Sequence, residues 1–178
     1  MGKSMKILIV SDTHRRDANL KAVIEKTAPF DMMIHLGDTE GSEEHFREWV
    51  KNEKCAIYVV RGNNDFFSMS EREKEISIGK YRAFLTHGHM YGVSLGPEGI
   101  EDEARSRKVN IVMYGHTHKP YLEYLNDGLV VLNPGSLSYP RQDGRKPSYA
   151  LMEIDRDGEA HFTICYVEPE ERKKDWSF

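Results

Sequence analysis

Apolar residues in the first half of this chain come in short unbroken runs, and each run stops at a small polar turn. Ile7 to Val10 is one such run, closed by Ser11-Asp12, and it reads as a strand buried on both faces. Leu20, Val23 and Ile24 then recur at helical spacing. Met32 to Leu36 is a second run, closed by Gly37-Asp38. "SEEHFREWVKNE" follows, with Phe46, Trp49 and Val50 on one helical face and Ser42 as the expected N-cap. "AIYVVRGNND" is a third strand, closed by the turn at Gly62 to Asp65. Strands and helices alternating in this way predict parallel strands with right-handed crossovers.

The second half changes rhythm. "EISIGKYRAFLTHG" predicts a hairpin turning at Gly79-Lys80, Ile100 to Arg107 carries a helical pattern, and Ile111 to Tyr114 is a short strand before Gly115. "YLEYLNDGLVVLN" predicts a hairpin with Asn126-Asp127-Gly128 in its turn. "SYALMEIDRDGEAHFTICYVE" predicts another, turning at Asp157-Gly158. One βαβ half joined to one strand-rich half predicts an α/β fold of two packed sheets with helices outside, in a single domain over residues 1–178.

Composition narrows the classes. At 178 residues the chain can bury a core without disulfides or structural metals, and 39% hydrophobic with 30% charged residues excludes disorder. No apolar run approaches the ~18 residues of a membrane helix. "MGKSMKILIVSD" lacks the layout of a signal peptide, and Lys6 stands where myristoylation would want Ser or Thr. Cys55 and Cys165 are expected to be free thiols in a reducing compartment, which points to a cytoplasmic location with no membrane partner. A net charge of −4 argues against an extended nucleic-acid partner, while leaving room for a local positive site.

The candidate chemistry lies where the strands end. Asp12 and His14 follow the first, Asp38 the second and Asn63 the third; His87 follows the hairpin strand, and His116 and His118 the strand before Gly115. Carboxylates, imidazoles and one amide oxygen form a mixed ligand set suited to Mn²⁺, Fe²⁺, Ni²⁺, Co²⁺ or Zn²⁺. The lack of a thiolate argues against a structural zinc site. These residues are too many for one ion and suit two ions sharing one ligand. A carboxylate, with two equivalent oxygens, is the group that can be shared.

In order, Asp12-x-His14, Gly37-Asp38, Gly62-Asn63, His87 in "THGH" and "GHTH" at Gly115 to His118 resemble the calcineurin-like metallophosphoesterase superfamily. The close spacing and "NPGS" at Asn133 to Ser136 resemble its small bacterial and archaeal phosphodiesterase branch, from about Ile7 to Leu151. The resemblance implies a four-layer α/β/β/α sandwich of two mixed sheets with a dinuclear metal site at strand carboxyl ends. It implies that Asp12, His14 and His118 hold one metal, that Asn63, His87 and His116 hold the other, and that Asp38 bridges. Two divalent ions are expected, Mn²⁺ first among them. The implied reaction is hydrolysis of a small phosphate ester, a phosphodiester above all, by a metal-bridging hydroxide without a phosphoenzyme. Two dications, two carboxylates, a phosphodiester and a hydroxide sum to neutrality.

One position departs from the pattern. Many members carry a histidine after Gly-Asn that helps protonate the leaving group, and Asn64 stands there instead. Asparagine cannot donate a proton to an alkoxide, so activity should lean on leaving-group quality. Asn64 and His89, the second histidine of "THGH", are the candidate catalytic residues beside the ligands, and Asp65 is expected to orient the loop. His35 is expected to pack in its strand, and His45, His161, Arg141 and the tail with its run "ERKK" to be solvated, although Trp176 and Phe178 of the tail could dock somewhere. The alternative function is a non-catalytic scaffold like the retromer subunit, whose metal site is degraded. All seven ligand positions here carry competent residues, which favours the enzyme. A homo-oligomer is compatible with the sequence.

Overall fold

Strand β1 (Met5–Val10) explains the layering. Its side chains divide by parity: Ile7 and Ile9 enter one apolar cluster, Leu8 and Val10 another. A strand buried on both faces needs a covering layer on each side. In this computed structural model, which describes residues 2–168, those layers are a second sheet and a pair of helices.

The elements follow in the order α1 (Ala18–Thr27), β2 (Met32–His35), α2 (Phe46–Val50) and β3 (Ala56–Val59). Next come β4 (Glu73–Ile78), β5 (Tyr81–Thr86), α3 (Glu98–Ser106) and β6 (Ile111–Met113). The chain continues as β7 (Pro120–Tyr124), β8 (Val130–Pro134), β9 (Ser148–Ile154) and β10 (Ala160–Tyr166). One sheet has the order β10-β9-β1-β2-β3 and the other β4-β5-β6-β8-β7. β1, β2 and β3 are parallel, as are β5, β6 and β8; the remaining pairings are antiparallel.

The central core between the sheets joins Ile7, Ile9, Ile34, Leu85, Met113 and Leu132. Outside the first sheet, Leu20, Val23 and Ile24 of α1 and Phe46 and Val50 of α2 cover Leu8 and Val10. Outside the second, Ile100 and Ala104 of α3 cover Phe84, Val112 and Val131. This is the α/β/β/α sandwich implied by the resemblance. Each fully buried Ile or Leu contributes roughly 1.5–3 kcal/mol, so the strand ends rest on a stiff base.

Pairings distant in sequence complete the sheets: the final hairpin joins the first sheet, with β9 antiparallel to β1 and Ile7 opposite Met152. The second half also contains a crossover of its own, β5 to β6 through α3, as a parallel pair requires. Ser42 is not an α-helix N-cap. It opens a 3-10 turn, Ser42–His45, before the five-residue α2, and its hydroxyl donates to Asp17 at 2.6 Å. The hairpin turns at Gly79-Lys80, Asn126 to Gly128 and Asp157-Gly158 lie where the sequence predicts. Trp176, Phe178 and "ERKK" lie outside the described residues.

Candidate metal centre

The parallel strands of both sheets deliver their carboxyl-terminal loops to one edge, the usual place for a ligand in such sheets. Asp12 is fully buried and Asp38 nearly so. Asp12 Oδ1 lies 3.2 Å from His118 Nε2 and 3.8 Å from both His14 Nε2 and His87 Nε2. Asp38 Oδ2 lies 3.3 Å from His87 Nε2 and 3.7 Å from His14 Nε2. Both carboxylates thus sit between the His14–His118 pair and His87.

Among the described residues, two groups of donors converge tightly enough to hold an ion: Asp12, His14 and His118, and Asp12, Asp38 and His87. Asn63 and His116 stand at the rim, with Asn63 Oδ1 3.0 Å from His116 Nδ1 and the His116 ring 5.2 Å from that of His87.

The chemistry of the donors fits divalent cations. Asp12 Oδ1 and His87 Nε2 are buried without a hydrogen-bond partner, and each faces the other's charge. A buried polar atom left so costs about 1–3 kcal/mol, which a cation between them would relieve. His87 Nδ1 donates to the Leu36 carbonyl and His118 Nδ1 to that of Tyr139, both at 2.7 Å. Those bonds turn each Nε2 inward, toward the two carboxylates. Burial opposes charge on His87, yet Asp12 and Asp38 outweigh it and push its pKa up to about 9. Burial likewise opposes charge on both carboxyls. His87 and His118 hold Asp12 below its usual range, and His87 and Asn64 hold Asp38 well below. The pocket draws positive charge to itself, and a metal ion would replace the extra proton on His87.

The backbone carries strain here. Asp12, His14, Asp38, His116 and His118 have φ of 56, 48, 59, 69 and 58°, in the left-handed region. Such non-glycine conformations cost about 1–2 kcal/mol each and persist only where surroundings over-determine them. Three side chains do so. Asp65, buried, accepts from the backbone N–H of Asp38, Gly62 and Glu40, each at 2.7 Å. Ser136 Oγ donates to the Asp12 carbonyl at 2.8 Å. Asn133 Nδ2 donates to the Gly115 carbonyl at 2.9 Å and to Thr117 Oγ1 at 3.0 Å. Gly62 has no alternative residue, because a Cβ there would lie 2.1 Å from Asp38 Oδ1.

Asn64 does not face open solvent. Its backbone N–H donates to Asp38 Oδ1 at 2.8 Å and its Nδ2 to Asp38 Oδ2 at 2.9 Å, so it orients that carboxylate. His89 opens a 3-10 turn, half-buried, with its ring 5.5 Å from His87 and 6.0 Å from His116. Burial and the neighbouring His87 lower its pKa. His35 is packed as expected: it stacks on Phe46, accepts from the Gly37 N–H at Nδ1 and contacts Thr13 Oγ1 at 3.0 Å. Its pKa falls to about 4 through burial. His45 and His161 are exposed. Arg141 is exposed too, but it lines the cleft beside His14 and His118. The supporting roles of Asn133 and Ser136 were missed from sequence, although "NPGS" begins within the buried end of β8.

Residues 5–157 match the family described as the calcineurin-like phosphoesterase superfamily domain. The chain is 32% identical over 154 residues to the probable metallophosphoesterase YsnB of Bacillus subtilis, covering 86% of each chain. It is 28% identical over 172 residues to the phosphodiesterase YfcE of Escherichia coli, covering 85% of this chain and 89% of that one. Among solved structures, Vps29 of Entamoeba histolytica complexed with Zn²⁺ shares the fold. Its TM-score is 0.68 at 24% identity, over 91% of this chain and 99% of that one.

Proposed function

The chain belongs to the calcineurin-like phosphoesterase superfamily, and we propose that it works there as a dinuclear metal-dependent phosphodiesterase on small phosphate esters. The observation that carries this reading is the pair of buried, mutually facing and unsatisfied atoms, Asp12 Oδ1 and His87 Nε2, inside a ring of oriented imidazoles.

Asp12, His14 and His118 would hold one metal and Asn63, His87 and His116 the other, with Asp38 shared; Mn²⁺ is the first candidate. When bound, such a pair lowers the pKa of a coordinated water toward ~7 and neutralises charge on the phosphoryl group. The chain's own residues supply the rest. The Leu36 and Tyr139 carbonyls fix which nitrogen of His87 and His118 faces inward. Asn64 fixes both oxygens of Asp38. Asp65, with three backbone donors on its carboxylate, is committed to the loop and is not available as an acid. His89 is an imidazole near the rim, and its lowered pKa keeps it neutral and able to donate from its ring N–H. The leaving oxygen therefore receives little help, and esters of acidic phenols should be the fastest substrates.

The scaffold reading draws on the fold shared with Vps29. Both readings are decided by refilling metal-stripped protein with single metals and assaying mono-, di- and cyclic phosphates. Hydrolysis of diesters is expected. Two bound metals per chain with no turnover on any ester would favour the scaffold.

A further inference from the structure

Resting on the phosphodiesterase reading, we propose that the cleft beside His14 and His118 is a subsite for a second, unreacting phosphate group of the substrate, gripped by Arg141 and Arg145. The cleft has a volume of about 840 Å³, lined by those two histidines, Tyr139, Glu40 and the two arginines. That is the size of a pocket for a whole small molecule, ~300–1,000 Å³, and far more than a phosphodiester group fills. A substrate held at the metals would extend into it.

The charges in the cleft are arranged for an anion. Three surface arginines elsewhere are neutralised: Arg82 meets Glu75, Arg105 meets Asp127, and Arg107 meets Glu73 and Glu103. Among the described residues, no carboxylate lies within ion-pair distance of Arg141 or Arg145. Glu40 is the single carboxylate lining the cleft, and it lies 3.6 Å from His14 Nδ1. Two unopposed guanidiniums in a chain of net charge −4 are a local reversal of sign, and guanidinium forks match phosphate oxygens in pairs.

The segment bearing them is tied to the metal centre. The Arg141 backbone N–H donates to the His118 carbonyl at 3.0 Å, while His118 Nδ1 donates back to the Tyr139 carbonyl at 2.7 Å. Ser138 Oγ donates to the Arg16 carbonyl at 2.7 Å, and the Arg16 guanidinium lies 4.9 Å from the Tyr139 ring centroid. The same histidine that would ligate a metal therefore fixes the base of the Arg141 segment.

The test uses two esters that differ by one phosphate: thymidine 5′-(p-nitrophenyl phosphate) and its 3′-phosphorylated form. With the full chain loaded with Mn²⁺, kcat/KM should favour the 3′-phosphorylated ester by about 10-fold or more, chiefly through KM. Arg141→Ala with Arg145→Ala should lower kcat/KM for that ester about tenfold more than for the plain one, and Arg141→Lys with Arg145→Lys should restore part of the difference. Calorimetry adds a readout without turnover: thymidine 3′,5′-bisphosphate should bind about tenfold more tightly than thymidine 5′-monophosphate, and the double alanine variant should lose that margin. Equal kcat/KM for both esters, or a preference that survives the double substitution, would overturn the subsite. If neither ester is hydrolysed, the phosphodiesterase reading fails by itself, and equal binding of the two nucleotides would then sink the subsite.

Discussion

Asp65→Asn is the most informative single change, because it alters charge with almost no change in volume. The native carboxylate is 3% exposed and receives the backbone N–H groups of Asp38 and Gly62 on Oδ2 and that of Glu40 on Oδ1, all at 2.7 Å. An asparagine must point its amide at one side. The less costly orientation puts its nitrogen at the Oδ1 position, leaving the Glu40 N–H facing another donor at a cost of about 1–3 kcal/mol. The two bonds retained lose their ionic partner, worth about 1 kcal/mol each. The expected destabilisation is about 3–5 kcal/mol, or a fall in Tm of roughly 6–20 °C for a domain of this size. Because Asp38 and the turn before Asn63 are released together, metal affinity should fall as well. Differential scanning calorimetry of the metal-free protein gives the first quantity, and a Mn²⁺ titration gives the second. A Tm change under about 2 °C with unaltered metal affinity would refute the argument. If kcat alone fell, with a steeper dependence on leaving-group pKa, Asp65 would be the acid after all.

Three further outcomes are expected. His35 takes up a proton near 6.5 when unfolded but only near about 4 when folded, so its contribution is lost as pH falls through that window, by roughly 2–3 kcal/mol at pH 4.5. Denaturant unfolding of metal-free protein at pH 7.5 and 4.5 should show a smaller loss for His35→Gln, and identical losses would refute the assignment. In Gly62→Ala the new Cβ would lie 2.1 Å from Asp38 Oδ1, so bound metal per chain, measured by mass spectrometry, should drop. Gly128→Ala, with nothing within 4 Å of its Cβ, should keep its metals. Asn64→His should flatten the plot of kcat/KM against leaving-group pKa; a line parallel to that of the parent would mean that the new imidazole does not reach the leaving oxygen.

Much of this was legible in the chain itself. The unbroken apolar runs in "KILIVSD" and "MMIHLGD" mark strands covered on both sides, and the glycine turns mark three hairpins, because both signals are local. The candidate ligands could be picked out for the same reason: each follows a strand, and every strand of a parallel set delivers its end to one edge. Tertiary structure alone decided which strands share a sheet. β9 pairs with β1 across most of the chain, and no periodicity in either strand encodes that partner. It also decided how the candidate ligands are held. Asp65 serves a loop 25 to 27 residues before it, Ser136 reaches back 124 residues to Asp12, and His118 fixes the backbone from which Arg141 enters the cleft. Hydrogen bonds of this kind depend on the distance and direction of two atoms in space. A sequence states which groups can donate and accept, but the packed sheets determine which of them meet.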